Sequence, residues 1–291
     1  MGSSKILIVG VKIKHFFLIL SLNFEFMTVK DILNCITEIA PLQWQESYDN
    51  AGLQVGNLNA EIHKALICLD ITEEIVDEAV AKQCDLIISH HPLIFRGLKH
   101  LTPETYIERA VMKAVKHDIA MISMHTNLDN SYLGVSRVLA ERLGLENLQF
   151  LQPSDSEPEL CGAGMIGEFA IPMEEVDFLE LVAKTIDSPC LRHSALTGRK
   201  ILKVALCGGS GTPFMPNALR LKADAYLTAD IKYHDFFVPE GNILLVDGGH
   251  FETEQFTKDL ICELIRKKFP TFAAEIAETK TNPVHYFVKN K

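Results

Sequence analysis

The sequence predicts an α/β protein of two units built on largely parallel sheets, and three observations carry that prediction. Short apolar, β-rich runs recur along the chain, four of them stop at an acidic or imidazole side chain, and helical stretches separate the first three. That alternation is the mark of parallel strands joined by crossover helices. With 291 residues, of which 47% are hydrophobic and 23% charged, the chain can bury two ordinary cores, taking ~150 residues per domain.

Residues 1–26 stand apart. Lys12 to His15 ahead of the apolar run Phe16–Leu22 has the layout of a short signal peptide, but no small-x-small cleavage site follows. The run is also too short to span a bilayer. Met27 followed by Thr28, a good N-cap, looks like a natural beginning, so residues 1–26 read as an N-terminal extension outside the fold.

From there the elements follow in order. A helix is expected over about Val29 to Ala40, then a polar loop, Glu46 to Gly56, whose Asp49-Asn50 and glycines suit turns. Strands are expected at Ala65–Leu69 ending on Asp70, at Leu86–Ser89 ending on His90-His91, and at Ile119–Met124 ending on His125. Helices over Thr72 to Ala81 and Pro103 to Lys116 join them. Fully apolar strands fit a sheet covered on both faces, with its ligand crevice at the carboxyl ends of the strands.

Pro153 to Glu159 reads as a linker. The segment Cys161 to Ile171, a helix around Met173 to Ile186, the run Ile201–Cys207 leading into Gly208-Gly209-Ser210-Gly211, and a strand Ala225–Thr228 leading to Asp230 form a second unit. The strand Ile243–Asp247 before Gly248-Gly249-His250 is read as returning to the first unit. The expected division is therefore 27–128 plus 245–291 for the first domain and 129–244 for the inserted second one.

The chemistry starts at LIISHHPLIF. A His-His pair beside apolar residues is, taken alone, an ordinary satisfied histidine pair. In a regular strand His90 and His91 point to opposite faces, so at the strand end they serve two neighbouring metal positions rather than one. Pro92 keeps His91 extended. His250 and Glu254 lie four apart at the start of a helix expected to run through Ile265, on one face and within reach of a shared ion. An acid-rich helix start would explain Glu254 but not His250. Asp129 in HTNLD is a hard oxygen donor, or else a turn aspartate.

Three imidazoles and two carboxylates suit zinc, manganese, iron, cobalt or nickel rather than calcium. Five ligands are too many for one open ion and fit two bridged by a carboxylate, an arrangement for hydrolysis by activated water or simply for holding metal. His125 and His234 are candidates for proton transfer, and Asp230 for a supporting or capping role. The Gly208–Gly211 turn lacks the spacing and lysine of a phosphate loop, and a tight turn explains it.

The formal charge of −10, from 38 acidic and 28 basic residues, disfavours a nucleic-acid partner. Seven scattered cysteines with no CxxC pair read as reduced thiols of a cytoplasmic protein.

Six segments, SYDNAGLQVG, LIISHHPLIF, MHTNLD, VALCGGSG, YLTADIKYHD and DGGHFETE, resemble in this order the Nif-three-like family, the GTP cyclohydrolase I type 2 homologues, from about Met27 to the C-terminus. The resemblance implies two related α/β domains with mixed, largely parallel sheets and a dinuclear metal cleft between them. It also implies a toroidal homohexamer. The family's metal ligands fall on His90, His91, Asp129, His250 and Glu254. The short span from Asp129 to His234 implies the compact form without an extra middle domain. Many relatives have Thr-Gly-Asp where this chain has Thr228-Ala229-Asp230. The implied activity is hydrolytic opening of the guanine ring of GTP by metal-activated water, which also needs a triphosphate cradle, for which the chain offers only Arg192, Arg199, Lys200 and Lys203; stated more broadly it is metal-dependent hydrolysis of a nucleotide or phosphoester, with two divalent ions per subunit and a small-molecule substrate. A metal store or carrier, or a ring-shaped interaction scaffold, is the alternative.

Overall fold

The computed structural model describes residues 27–287, so the extension expected at 1–26 lies outside the described residues. The elements in chain order are α1 (Val29–Thr37), β1 (Gly52–Val55), β2 (Lys64–Cys68), α2 (Glu73–Ala81), β3 (Leu86–Ser89), α3 (Tyr106–Lys116), β4 (Ala120–Ser123), α4 (Thr126–Asp129) and α5 (Val135–Arg142). There follow β5 (Glu146–Pro153), β6 (Gly162–Met173), α6 (Glu175–Thr185), β7 (Arg192–His193), β8 (Ile201–Leu206), α7 (Met215–Arg220), β9 (Ala225–Thr228), β10 (Leu244–Asp247), α8 (His250–Glu254), α9 (Thr257–Lys268) and β11 (Ala273–Ile276). Among the described residues no helix is long and apolar enough to cross a membrane.

Helix starts follow the capping chemistry of the sequence. Thr28 and Asp31 form a reciprocal capping box at α1, Thr105 and Glu108 form another at α3, and Thr72 caps α2. The first helix stops at Thr37 rather than Ala40: the Thr37 hydroxyl turns back onto the Leu33 and Asn34 carbonyls, and Pro41 follows.

The first sheet is five-stranded, in the order β1-β4-β3-β2-β11, parallel except for β1. Alternate residues feed its two faces. Ile67, Ile88 and Ile122 pack with Ile32, Ile36, Ile261 and Ile265 of α1 and α9, while Leu66, Ile87 and Met121 pack with Ile75, Val76 and Ala110 of α2 and α3. Each such aliphatic side chain contributes roughly 1.5–3 kcal/mol on full burial.

The second sheet is six-stranded and mixed, in the order β5-β6-β8-β9-β10-β7, with β8, β9 and β10 parallel. Val204, Leu227 and Val246 face Phe178 and Val182 of α6, and Ala205, Tyr226 and Leu245 face Met215 and Ala218 of α7. Here the sequence expectation is corrected. The strand before His250 was read as part of the first unit, but Leu244–Asp247 pairs in parallel with Ala225–Thr228 in the second sheet. What the C-terminal part adds to the first sheet is α9 and β11. Three apolar residues and an aspartate carry no mark of which neighbour they will pair with, so the sequence leaves strand order open.

The two sheets repeat one layout. Asp85 accepts hydrogen bonds from the amides of His63 and Lys64, and Asp224 does the same for Leu202 and Lys203. Two residues before each aspartate the chain turns through a left-handed residue, Gln83 (φ 56°) and Lys222 (φ 55°). Each first strand then feeds a helix and a parallel neighbour, and each unit offers a His-x-x-x-carboxylate segment, His125–Asp129 and His250–Glu254.

Candidate metal centre

Each sequence-predicted ligand comes from just past a strand. β3 ends at Ser89, and His90 and His91 follow while their amides still bond to the Cys68 and Leu69 carbonyls. Met124 and His125 follow β4, and Asp129 closes the single turn α4. From the second sheet, Gly248-Gly249 follows β10 and opens α8, which carries His250 and Glu254. That helix is shorter than expected: it stops at Glu254, and α9 starts afresh at Thr257.

Four imidazoles converge, and each has its Nδ1 held from behind. His90 Nδ1 donates to the Met124 carbonyl at 2.7 Å, His91 Nδ1 to Asp70 at 2.7 Å, His125 Nδ1 to Asp49 at 2.7 Å and His250 Nδ1 to Asp230 at 2.7 Å. A donor proton on Nδ1 leaves Nε2 as the free nitrogen, and this is how proteins orient histidine ligands. The rings of His90, His91 and His125 lie 4.8–5.4 Å apart by centroid, and that of His250 lies 5.2 Å from His91.

Glu254 stands at the centre. Its Oε2 is 2.9 Å from His91 Nε2, 3.0 Å from His250 Nε2 and 3.8 Å from His90 Nε2. Ligand atoms of His90, His91 and Glu254 all lie within 4.8 Å of one another, close enough to hold a metal ion. Asp129 Oδ1 lies 3.5 Å from His90 Nε2. Both of those atoms are buried and have no hydrogen-bond partner, a costly state for polar groups unless a ligand completes them. Borderline imidazole nitrogens and carboxylate oxygens are the donors a divalent transition metal takes, so the residues present fit such an ion.

The electrostatics agree. Burial opposes charge on His91, yet its hydrogen bonds to Asp70 and Glu254 outweigh it and hold its pKa up at about 10. Asp230 and Glu254 likewise raise His250 to about 11 against its burial. Glu254, though buried, is kept well below the usual carboxylate range by the surrounding imidazoles. Asp129 is pushed up by burial. Asp49, buried but accepting from His125, the Thr126 amide and the Thr126 hydroxyl, is held at about 2.

Two glycines make room for this. Gly209 (φ 61°) lies so near Glu254 that a Cβ there would come within 2.0 Å of Oε1, and at Gly249 (φ 89°) a Cβ would come within 2.2 Å of Glu252 Oε2. The Gly208–Gly211 turn is thus a close-approach turn. Three of its four amides are already used, Gly208 by Ser136, Gly209 by Thr253 and Gly211 by Thr228, which leaves no ring of free donors for a phosphate. At Thr228-Ala229-Asp230 the left-handed residue is Asp230 (φ 55°), so alanine at 229 sits without strain.

The cluster lies between two cavities. In front is one of about 260 Å³ lined by Tyr48, His125, Asp129, Ser210, His250 and Glu254. Behind the anchoring carboxylates is one of about 440 Å³ that includes Asp70, Arg192, Asp230, Asn282 and Tyr286. His234, a candidate for proton transfer, is not brought here: it is exposed on the turn Tyr233–Phe237 and packs against Tyr233. Sequence reasoning missed Asp49, taken for a turn residue, and Thr281, which donates to Asp70. Neither carries a local pattern that would have revealed it.

The described cysteines are all free, and Cys190 alone among them is exposed.

Comparison with known proteins identifies the family and the fold. The family profile described as Duf34/NIF3 (NGG1p interacting factor 3) matches residues 27–283. A Clostridium perfringens protein named GTP cyclohydrolase 1 type 2 homolog is 36% identical over 233 residues, 78% of this chain and 87% of its own. A Campylobacter jejuni protein of the same name is 32% identical over 267 residues, 90% of this chain and 100% of its own. Among solved structures, a Staphylococcus aureus hypothetical protein superposes with a TM-score of 0.84 at 28% identity, covering 90% of this chain and 100% of that one.

Proposed function

The chain belongs to the Duf34/NIF3 family, and from that premise we propose that it binds two divalent metal ions between its sheets and uses them to hydrolyse a small phosphoester or nucleotide. The observation that carries this reading is the buried, unpartnered pair His90 Nε2 and Asp129 Oδ1, 3.5 Å apart. With Glu254 between them, His90 and Asp129 would hold one ion and His91 and His250 the other. The relatives' name, which is only a homologue's name, adds the nucleotide to the candidate substrates.

Bound divalent ions would supply Lewis acidity toward a carbonyl or phosphoryl oxygen and toward water. The chain's own residues do the rest. Asp49 holds His125 by Nδ1, so Nε2 faces the front cavity as a proton acceptor and later a donor to the leaving group. Asp70 and Asp230 keep His91 and His250 aimed, while the close turn at Gly209 keeps Glu254 in place. A triphosphate cradle is not assembled from the cations that the sequence offered. Arg192 is bound to Asp247, Arg199 donates to the Asn242 carbonyl, Lys200 pairs with Glu174 and Lys203 with Glu168. Hydrolytic opening of GTP is therefore the less favoured form of the proposal.

The test is turnover by metal-loaded protein of a panel of nucleotides and a generic phosphoester, with metal-free protein as control. Hydrolysis should appear only in the loaded sample and fall by at least about 100-fold in His125→Ala with metal content unchanged. Exchangeable metal without turnover of any panel member would overturn the hydrolase reading in favour of a metal carrier. The hexameric ring expected from the resemblance belongs to the same proposal, and light scattering measures it.

A further inference from the structure

The cavity behind the anchoring carboxylates, at about 440 Å³, falls within the roughly 300–1,000 Å³ of pockets that enclose a small organic ligand. It reaches His91 and His250. Four carboxylates line it, and three of them already face a basic side chain: Asp70 is bound to His91, Asp230 to His250 and Asp247 to Arg192. Glu252 is the exception.

Glu252 is only 4% exposed, yet its Oε1 accepts merely from the neutral side-chain amide of Asn282, at 3.0 Å, and it has no ion-pair partner among the described residues. Lys258 and Lys280 line the adjoining cavity of about 430 Å³ with it but do not pair with it. A buried carboxylate without a cation is costly, so a ligand that brings one gains an interaction that the chain leaves unmade.

The second oxygen, Oε2, has no hydrogen-bond partner among the described residues, and it has a direction. A Cβ on Gly249 would lie 2.2 Å from Glu252 Oε2 and 3.4 Å from the Tyr286 hydroxyl oxygen, so both oxygens converge over a backbone position that carries no side chain. The next residue is His250, and Leu69, Phe251 and Val284 supply apolar wall in the same cavity.

These acceptors select the kind of cation. A metal ion needs several donors gathered round it, and among the described residues His90, His91 and Glu254 are the group close enough to hold one, without Glu252. A guanidinium sets its planar fork on both oxygens of a carboxylate, and Asn282 occupies one of them. A primary ammonium spreads three N–H donors over separate acceptors, and a carboxylate oxygen facing a phenol oxygen supplies two.

We propose that this rear cavity is a binding site for a small primary amine, with the ammonium group held by Glu252 Oε2 and the Tyr286 hydroxyl beside His250 and the apolar part lying on Leu69, Phe251 and Val284. The site goes beyond the hydrolase reading and does not depend on it. Amine binding is read without turnover, in the chain stripped of metal as well as in the loaded one.

The experiment measures equilibrium binding, by titration calorimetry at neutral pH, of isopentylamine and its neutral isostere isopentanol to the metal-loaded and the metal-stripped full chain. In both, the amine should bind at least about tenfold more tightly than the alcohol. Glu252→Gln, which keeps the shape and an acceptor for Asn282, should lose about tenfold for the amine and nothing for the alcohol. Tyr286→Phe should lose about threefold for the amine alone. Equal binding of amine and alcohol, or unchanged amine affinity in Glu252→Gln, overturns the site and leaves the metal centre standing. Loss of bound metal in Glu252→Gln, read by elemental analysis, makes this carboxylate part of the metal centre and overturns the amine site as well. Failure of the wild-type chain to retain metal on gentle dialysis, with the preference for the amine intact, overturns the metal reading and spares the site.

Discussion

The Thr281 hydroxyl donates to Asp70 Oδ2 at 3.0 Å, while Asp70 Oδ1 accepts from His91 Nδ1 at 2.7 Å. A residue near the end of the chain thus steadies the carboxylate that aims a central imidazole.

Thr281→Val keeps the shape and removes the donor. Metal affinity, measured by competition with a chelator, should fall by about 10-fold, the lower end for outer partners of metal ligands. Thr281→Ser should restore it. Unchanged affinity in the valine variant would show that Asp70 needs no such support.

Metal should stabilise the folded chain, because the ligands converge only when both sheets are in place. At 100 times its Kd an ion adds about 2.7 kcal/mol, which raises Tm by roughly 5–10 °C in a chain of this size. Asp129→Ala should remove most of that increment and lower the bound metal measured by elemental analysis. A Tm indifferent to metal would contradict the site.

Gly209→Ala should damage the centre. Its Cβ would meet Glu254 Oε1 at 2.0 Å, the backbone is left-handed there, and Glu254 is pinned by three imidazoles and cannot swing aside freely. The expected cost is about 1–3 kcal/mol by chemical denaturation together with weaker metal binding. Gly97→Ala, with nothing within 4 Å of the new Cβ, should stay within about 0.5 kcal/mol of the parent.

Acid should release the C-terminal segment. Burial would raise the pKa of Glu78, but Lys82 and hydrogen bonds from Thr279 and Glu278 outweigh it and hold it at about 2. The folded value lies below the unfolded one of 4.5, so the stabilisation is complete above that pH and disappears as pH falls toward about 2. Hydrogen-exchange protection factors of residues 278–282, taken relative to the intrinsic rate at each pH, should fall over that window, and Glu78→Gln should show the low protection already at neutral pH. A pH-independent protection factor in the parent would sink this.

The sequence carried the parts of the site that local geometry controls. His90 and His91 could be read because a strand end frees both rings, and His250 with Glu254 because four residues make one helical turn. Thr28 announced its helix, whereas the third helix starts at Tyr106 behind Thr105 rather than at Pro103. What could not be read depends on contacts between distant segments. Asp49 reaches His125 from a loop with no periodicity, Thr281 reaches Asp70 across most of the chain, and β10 chose its sheet by pairing that its own four residues do not encode.

Glu254 arrives from the second sheet and meets His90 and His91 from the first. Any ion seated among them is therefore a rivet through two plates. If the plates slide apart by an ångström, the rivet loosens, so occupancy of the centre gauges the spacing of the two halves of the molecule.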